Sequence, residues 1–250
     1  MNNPAGGSRS KTAFTVRHMR RHTSMRTIFA VFAGLAMAVF TVKGDYIIKQ
    51  QVETMGHNQQ VVLKIKDPKA RLDTEQTSTI IDSNTGETTM LIHSQKVFLK
   101  IGADQLKAQS EAVKSLMGTQ GNGAKTEIEL KPTGKKQPIS GYETEEYVTN
   151  LSGTDMSIFV CKDFPDYRRV IEAVDTVQKG PGMDIFRSMA IPPSKYPGMP
   201  IRTEAKFLGQ RIVVTLESVQ QTELSEADFS LPPDYQELTP RQPEKTNPSQ

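Results

Sequence analysis

Tryptophan is absent from the 250 residues, and cysteine occurs once, at Cys161. A lone cysteine closes no intrachain disulfide, so the core alone has to hold the fold; it permits an oxidising compartment without indicating one. Acids are missing from residues 1–44, which carry seven bases: Arg9, Lys11, Arg17, Arg20, Arg21, Arg26 and Lys43. The net charge of +3 therefore belongs to that segment, and the 206 residues after it hold 24 bases against 28 acids. No basic excess remains there to neutralise phosphates, which argues against nucleic-acid binding.

Histidine is scarce too. Beyond residue 44 only His57 and His93 occur, and neither has a second His, Cys or acid at ligand spacing, so no metal site is expected. No Gly-x-Ser-x-Gly elbow is present, and no nucleophile, base and orienting group can be named together. The run Gly118-Thr119-Gln120-Gly121-Asn122-Gly123-Ala124-Lys125 fails as a phosphate loop, because Ala124 separates the last Gly from Lys and a helix precedes rather than follows it. The chain reads as a non-enzyme without a cofactor.

What is present is alternation. From Val61 to Ile101, short apolar/polar runs follow one another: Val61, Leu63 and Ile65; Ala70 and Leu72; Thr79 to Asp82; Glu87 to Ile92; Val97, Leu99 and Ile101. Pro68 and the turn Ser83-Asn84-Thr85-Gly86 separate them, since Pro donates no N–H and Asn and Gly tolerate positive φ. A parallel crossover needs a dozen or more residues, so these strands pair antiparallel.

Thr27 to Val42 is an uncharged, mainly apolar run of 16 residues behind Arg20, Arg21 and Arg26. As a helix it spans about 24 Å, short of the roughly 30 Å hydrocarbon core. Residues 1–44 thus read as a signal peptide, cut before Asp45 after small residues at Val42 and Gly44. An uncleaved anchor is the alternative, and Met19 or Met25 is an alternative start.

Residues 45–236 read as one domain. A strand over 45–53 comes first. The period becomes helical at Ala103–Met117, with Asp104 as N-cap, and again at Asp163–Lys179. Between them come strands at Thr126–Leu130, around Tyr147 and at Met156–Lys162. A Gly209-Gln210 turn joins strands 201–208 and 211–219. Residues 237–250 read as a disordered tail.

Several stretches carry a resemblance in their order: Lys66-Asp67-Pro68-Lys69-Ala70-Arg71-Leu72-Asp73, Ile80-Ile81-Asp82, Gly141-Tyr142 with Tyr147-Val148, Ile158 to Lys162, Gly198-Met199-Pro200-Ile201 and Phe229 to Tyr235. Over residues 45–236 the chain resembles an exported bacterial domain-of-unknown-function family that shares the LolA/LolB-like lipoprotein-carrier fold. The resemblance implies an α+β fold: a strongly curved antiparallel sheet, an incomplete barrel, with helices packed on its concave side. In relatives that carry lipoproteins the hollow holds acyl chains and a strand arginine helps set the closed state; Arg71 is the matching position. The family's tryptophan near Phe159 is lacking.

The expected site joins Arg71 to the stripe Tyr167, Val170, Ile171, Val174 and Val177 of the second helix, a lid hinged at Gly180-Pro181-Gly182 and at Ile191-Pro192-Pro193. Ordinary core packing is the competing reading of that stripe. The expected function is non-catalytic binding of a lipid, acyl chain or other hydrophobic ligand by a periplasmic or secreted envelope protein, with membrane contact only through the leader. The alternative is an envelope scaffold or sensor that binds another protein.

Overall fold

In the computed structural model, residues 44–116, 128–151, 153–181, 183, 187, 190–207 and 209–238 are described. The leader before residue 44, the Gly-rich stretch 117–127, Gly182 of the expected hinge and the tail from residue 239 lie outside them.

Among the described residues twelve strands form one sheet: β1 (Tyr46–Thr54), β2 (His57–Lys66), β3 (Lys69–Asp73), β4 (Thr77–Asp82), β5 (Thr88–Ile92), β6 (Val97–Ile101), β7 (Lys131–Ile139), β8 (Tyr142–Leu151), β9 (Thr154–Cys161), β10 (Met199–Phe207), β11 (Gln210–Gln221) and β12 (Gln236–Glu237). Among the described residues two α-helices accompany it, α1 (Ala103–Leu116) and α2 (Tyr167–Gln178). The spatial order is β12-β6-β5-β4-β3-β2-β1-β11-β10-β9-β8-β7. Every pairing is antiparallel except that of β12 on β6. The sheet is curved and unclosed, with β12 and β7 at its two edges; open sheets this wide curl because each strand adds right-handed twist.

The meander β1 to β6 follows the alternation read from the sequence. Tyr46, Ile48, Val52, Val61, Leu63, Ile65, Ala70, Leu72 and Ile81 all enter one apolar core. β1 then pairs with β11, far along the chain, and this seam joins the meander to β10, β9 and β8. The row Val52–Val214–Thr203–Ile158–Tyr147, set by register across β1, β11, β10, β9 and β8, continues the same buried face.

Several boundaries differ from the sequence reading. Residues 128–130 form no strand, and β7 takes the next nine residues instead. Its Pro132, Gly134 and Pro138 spoil any alternation, and an edge position tolerates them because one side of the ladder is unpaired. In the last hairpin Gln210 belongs to β11 rather than to the turn, since it pairs with Phe207, and Gly209 before it holds φ at 79°. α2 begins at Tyr167, and α1 begins at Ala103, which leaves Asp104 inside the first turn. Pairing continues past residue 236: Glu237 lies opposite Phe98, and the Leu238 N–H donates to the Phe98 carbonyl at 2.8 Å. Cys161 is buried and joins the core with Ile158 and Val160, although strict alternation groups it with Phe159.

Candidate functional site

The stripe on α2 packs into the core. Val170, Ile171, Val174 and Val177 are 2–4% exposed, and Tyr167 is half-buried against the same cluster. The far end of the helix is pinned to the β4–β5 turn. A Cβ on Gly180 would lie 3.0 Å from the backbone of Ser83, and one on Gly86 (φ 72°) would lie 2.4 Å from the Pro181 carbonyl oxygen. Asp82 shapes that turn by accepting from the N–H groups of Asn84 and Thr85. Tyr167 and Ile171 also line a pocket of about 280 Å³ with Glu172, Asp175 and Pro193.

Arg71 is elsewhere. Its β3 neighbours Ala70 and Leu72 enter the core, so a period of two turns Arg71 to the opposite face. There its guanidinium donates to Asp73 (2.7 Å), Ser78 Oγ (3.1 Å) and the Asp228 carbonyl (3.2 Å). The structure therefore does not bring Arg71 together with the α2 stripe.

What covers Arg71 is a strap, residues 222–238, laid across the outer face. Asp228 meets Lys64 at 2.9 Å, Glu226 meets Lys69 at 2.7 Å, and Asp234 meets Lys96 at 2.7 Å. Lys66 binds Asp45 (3.3 Å) and the Leu224 carbonyl (2.7 Å). The hydrogen bond from Lys64, with those from the Ser225 N–H and hydroxyl, holds the Asp228 carboxyl down at about 2. Lys69 and Lys96 likewise lower Glu226 and Asp234. A polar chain fixes the end of the strap: Ser78 Oγ donates to Asp73 at 2.5 Å, His93 Nε2 lies 3.1 Å from that Oγ, and His93 Nδ1 lies 2.7 Å from the Tyr235 hydroxyl. With its own proton given to Asp73, Ser78 accepts from Nε2–H.

Glu145 and Glu146 of β8 are also paired, the latter with Lys135 at 3.8 Å. Glu145 contacts Lys162 at 2.5 Å, which lowers the Glu145 carboxyl and raises the Lys162 ammonium, and Lys162 also lies over the Tyr147 ring. β8 is not a sheet edge, because β7 lies outside it. Among the described residues no group of three or more His, Cys, Asp or Glu is placed to hold a metal ion.

The face that buries the core elsewhere is less covered at β5 and β6. Register carries it from Leu72 to Thr79, Met90 and Leu99, and from Ala70 to Ile81, Thr88 and Ile101. A third row holds Thr77, Ile92 and Val97. Met90, Ile92, Val97 and Leu99 form a contiguous quartet, each only half-buried, whereas Val61, Leu63, Ile65, Ala70, Leu72 and Ile81 on the same face are 1–4% exposed. Thr79 Oγ1 and Thr88 Oγ1 are buried beside the quartet without a hydrogen-bond partner. Alternation marked these residues as inward-facing, but it carried no signal of which inward positions stay uncovered.

On the opposite face, an open groove of about 840 Å³ is lined by Lys131, Val148, Asp155, Glu204, Lys206 and Arg211, among others. Arg211 is held by Glu204 at 2.8 Å.

A family model described as Domain of unknown function (DUF4412) matches residues 34–235. The chain belongs to this family. No curated protein matches the DUF4412 chain. Among solved structures, PNGF-II is similar at 15% identity and TM-score 0.34, covering 78% of this chain and 31% of that one, so the chain spans about a third of its length. The MucA/MucB complex of Pseudomonas aeruginosa matches at 7% identity and TM-score 0.40, covering 83% of this chain and 60% of that one. A LolA superfamily protein from Nitrosomonas europaea matches at 6% identity and TM-score 0.32, covering 80% and 96%. At such scores the fold rests on the strand order of the DUF4412 chain itself.

Proposed function

We propose that this chain is an exported envelope protein that binds a lipid, acyl chain or other hydrophobic ligand, without catalysis, in the hollow of a LolA-like half-barrel. The observation that carries the reading is the half-buried quartet Met90, Ile92, Val97 and Leu99, on the same sheet face as the buried Leu63, Ala70 and Leu72. Covering apolar surface yields about 25 cal/mol per Å² before ordering costs, so an acyl chain laid over the quartet gains several kcal/mol. In this reading the helices sit on the concave side. The stripe Tyr167, Val170, Ile171, Val174 and Val177 forms the wall of the hollow, and Arg71 acts only indirectly, by anchoring the strap behind β3. The leader supplies export to the periplasm or beyond; among the described residues no helix is long and apolar enough to cross a membrane.

The second reading, a scaffold or sensor that binds another protein, is favoured by the outer groove between Lys131 and Arg211. Uptake of a fluorescent long-chain acyl probe by detergent-free protein separates the two. Saturable binding that is lost in Met90→Glu and Leu99→Glu, with melting unchanged, supports the hollow. Binding that survives both substitutions places the ligand elsewhere and removes the quartet from the site.

A further inference from the structure

Thr79 and Thr88 are 4% and 7% exposed, and each Oγ1 lacks a partner. Hydroxyls in that position are unusual, because buried polar groups are nearly always hydrogen-bonded. Both sit on the face of the quartet. Thr79 is the register partner of Met90, and Thr88 lies between Ile81 and Ile101. The positions around them on that face, Thr77, Ile81, Met90, Ile92, Val97, Leu99 and Ile101, include no charged side chain. The Thr77 hydroxyl is already spent on Thr74.

We propose that Thr79 and Thr88 donate hydrogen bonds to an uncharged acyl ester or amide group of the ligand, while its chain lies over Met90, Ile92, Val97 and Leu99. The inference rests on the hydrophobic-ligand reading and names its chemical class. A free carboxylate is disfavoured there, because a buried anion needs a cation or several donors and this face supplies only two hydroxyls. A plain hydrocarbon leaves both hydroxyls unpaired. An ester or amide carbonyl satisfies them and brings no charge.

The test uses three probes of equal chain length on the full protein: a fluorescent acyl ester, the corresponding carboxylate and the corresponding hydrocarbon. Wild type is expected to bind the ester most tightly. The pair Thr79→Val and Thr88→Val is expected to lose that preference by about threefold to tenfold, the size of one net hydrogen bond, with hydrocarbon affinity kept. The pair Thr79→Ser and Thr88→Ser retains the hydroxyls, so it is expected to keep the preference even if the valine pair folds poorly. A preference for the carboxylate, or an ester preference that survives the valine substitutions, overturns the inference and leaves the hollow standing. Failure of wild type to bind any of the three overturns both.

Discussion

Gly86 and Pro181 meet so closely that a side chain cannot stand between them: a Cβ on Gly86 would lie 2.4 Å from the Pro181 carbonyl oxygen and 2.9 Å from Ala103 Cβ. The contact fastens the end of α2 to the β4–β5 turn and brings the start of α1 to the same point. It places Gly180 and Pro181 of the first expected hinge against the sheet, so movement of α2 as a lid would have to swing from its Tyr167 end. Gly86 also holds φ at 72°, a conformation costly to any residue with a Cβ. Gly86→Ala is expected to destabilise the protein by about 2–4 kcal/mol, measured by urea unfolding. A loss below half that range would mean that the contact is soft.

Val174 tests how far the α2 stripe belongs to the core. At 2% exposure, Val174→Ala is expected to cost about 2–3 kcal/mol through the lost methyl groups and the cavity left behind. Val174→Asp buries an unpaired charge and is expected to unfold the domain at 37 °C. A near-neutral Val174→Asp in thermal melting would show that the stripe opens to solvent readily, as a mobile lid requires.

The strap makes stability depend on acid pH. Asp228 sits at about 2, below its ordinary 3.8, so its folded form binds fewer protons than the unfolded chain at intermediate pH. The stabilisation is therefore present above the ordinary value and fades as pH falls from roughly 4 towards 2. Glu226 and Asp234 are shifted the same way. Hydrogen exchange along residues 224–238 is expected to speed up across that window before the β1–β3 core opens, and Asp228→Asn is expected to flatten the response. Simultaneous opening of strap and core would contradict the separation of the two layers.

The meander was legible in the sequence because Val61 to Ile101 alternates faithfully and one face is buried from Val61 to Ile65 in β2 and at Ala70 and Leu72 in β3. The α2 stripe was legible for the same reason, at a period of 3.6. The features that were missed depend on long-range geometry. Lys131–Ile139 lacks alternation because an edge strand has only one neighbour to satisfy. The strap depends on ion pairs between residues more than 130 positions apart, such as Lys96 with Asp234. Arg71 entered the expected site only through the family resemblance, since alternation assigns a face but not what lies across it. The quartet was hidden for a related reason: Met90 and Leu99 follow the same pattern as the sealed Leu63 and Leu72, and only the packed structure separates them. Family membership came from the order of motifs over most of the domain, where each motif alone was weak.

Native mass spectrometry of the protein recovered without detergent from the cells that make it, followed by organic extraction, decides whether the sheet face holds a ligand. A discrete co-purifying mass that extracts as an acyl lipid, and that is missing from Met90→Glu protein with unchanged melting, is the expected result. A clean ligand-free mass, together with no uptake of acyl ester, carboxylate or hydrocarbon probe, would contradict it and turn attention to the outer groove as a protein-binding surface.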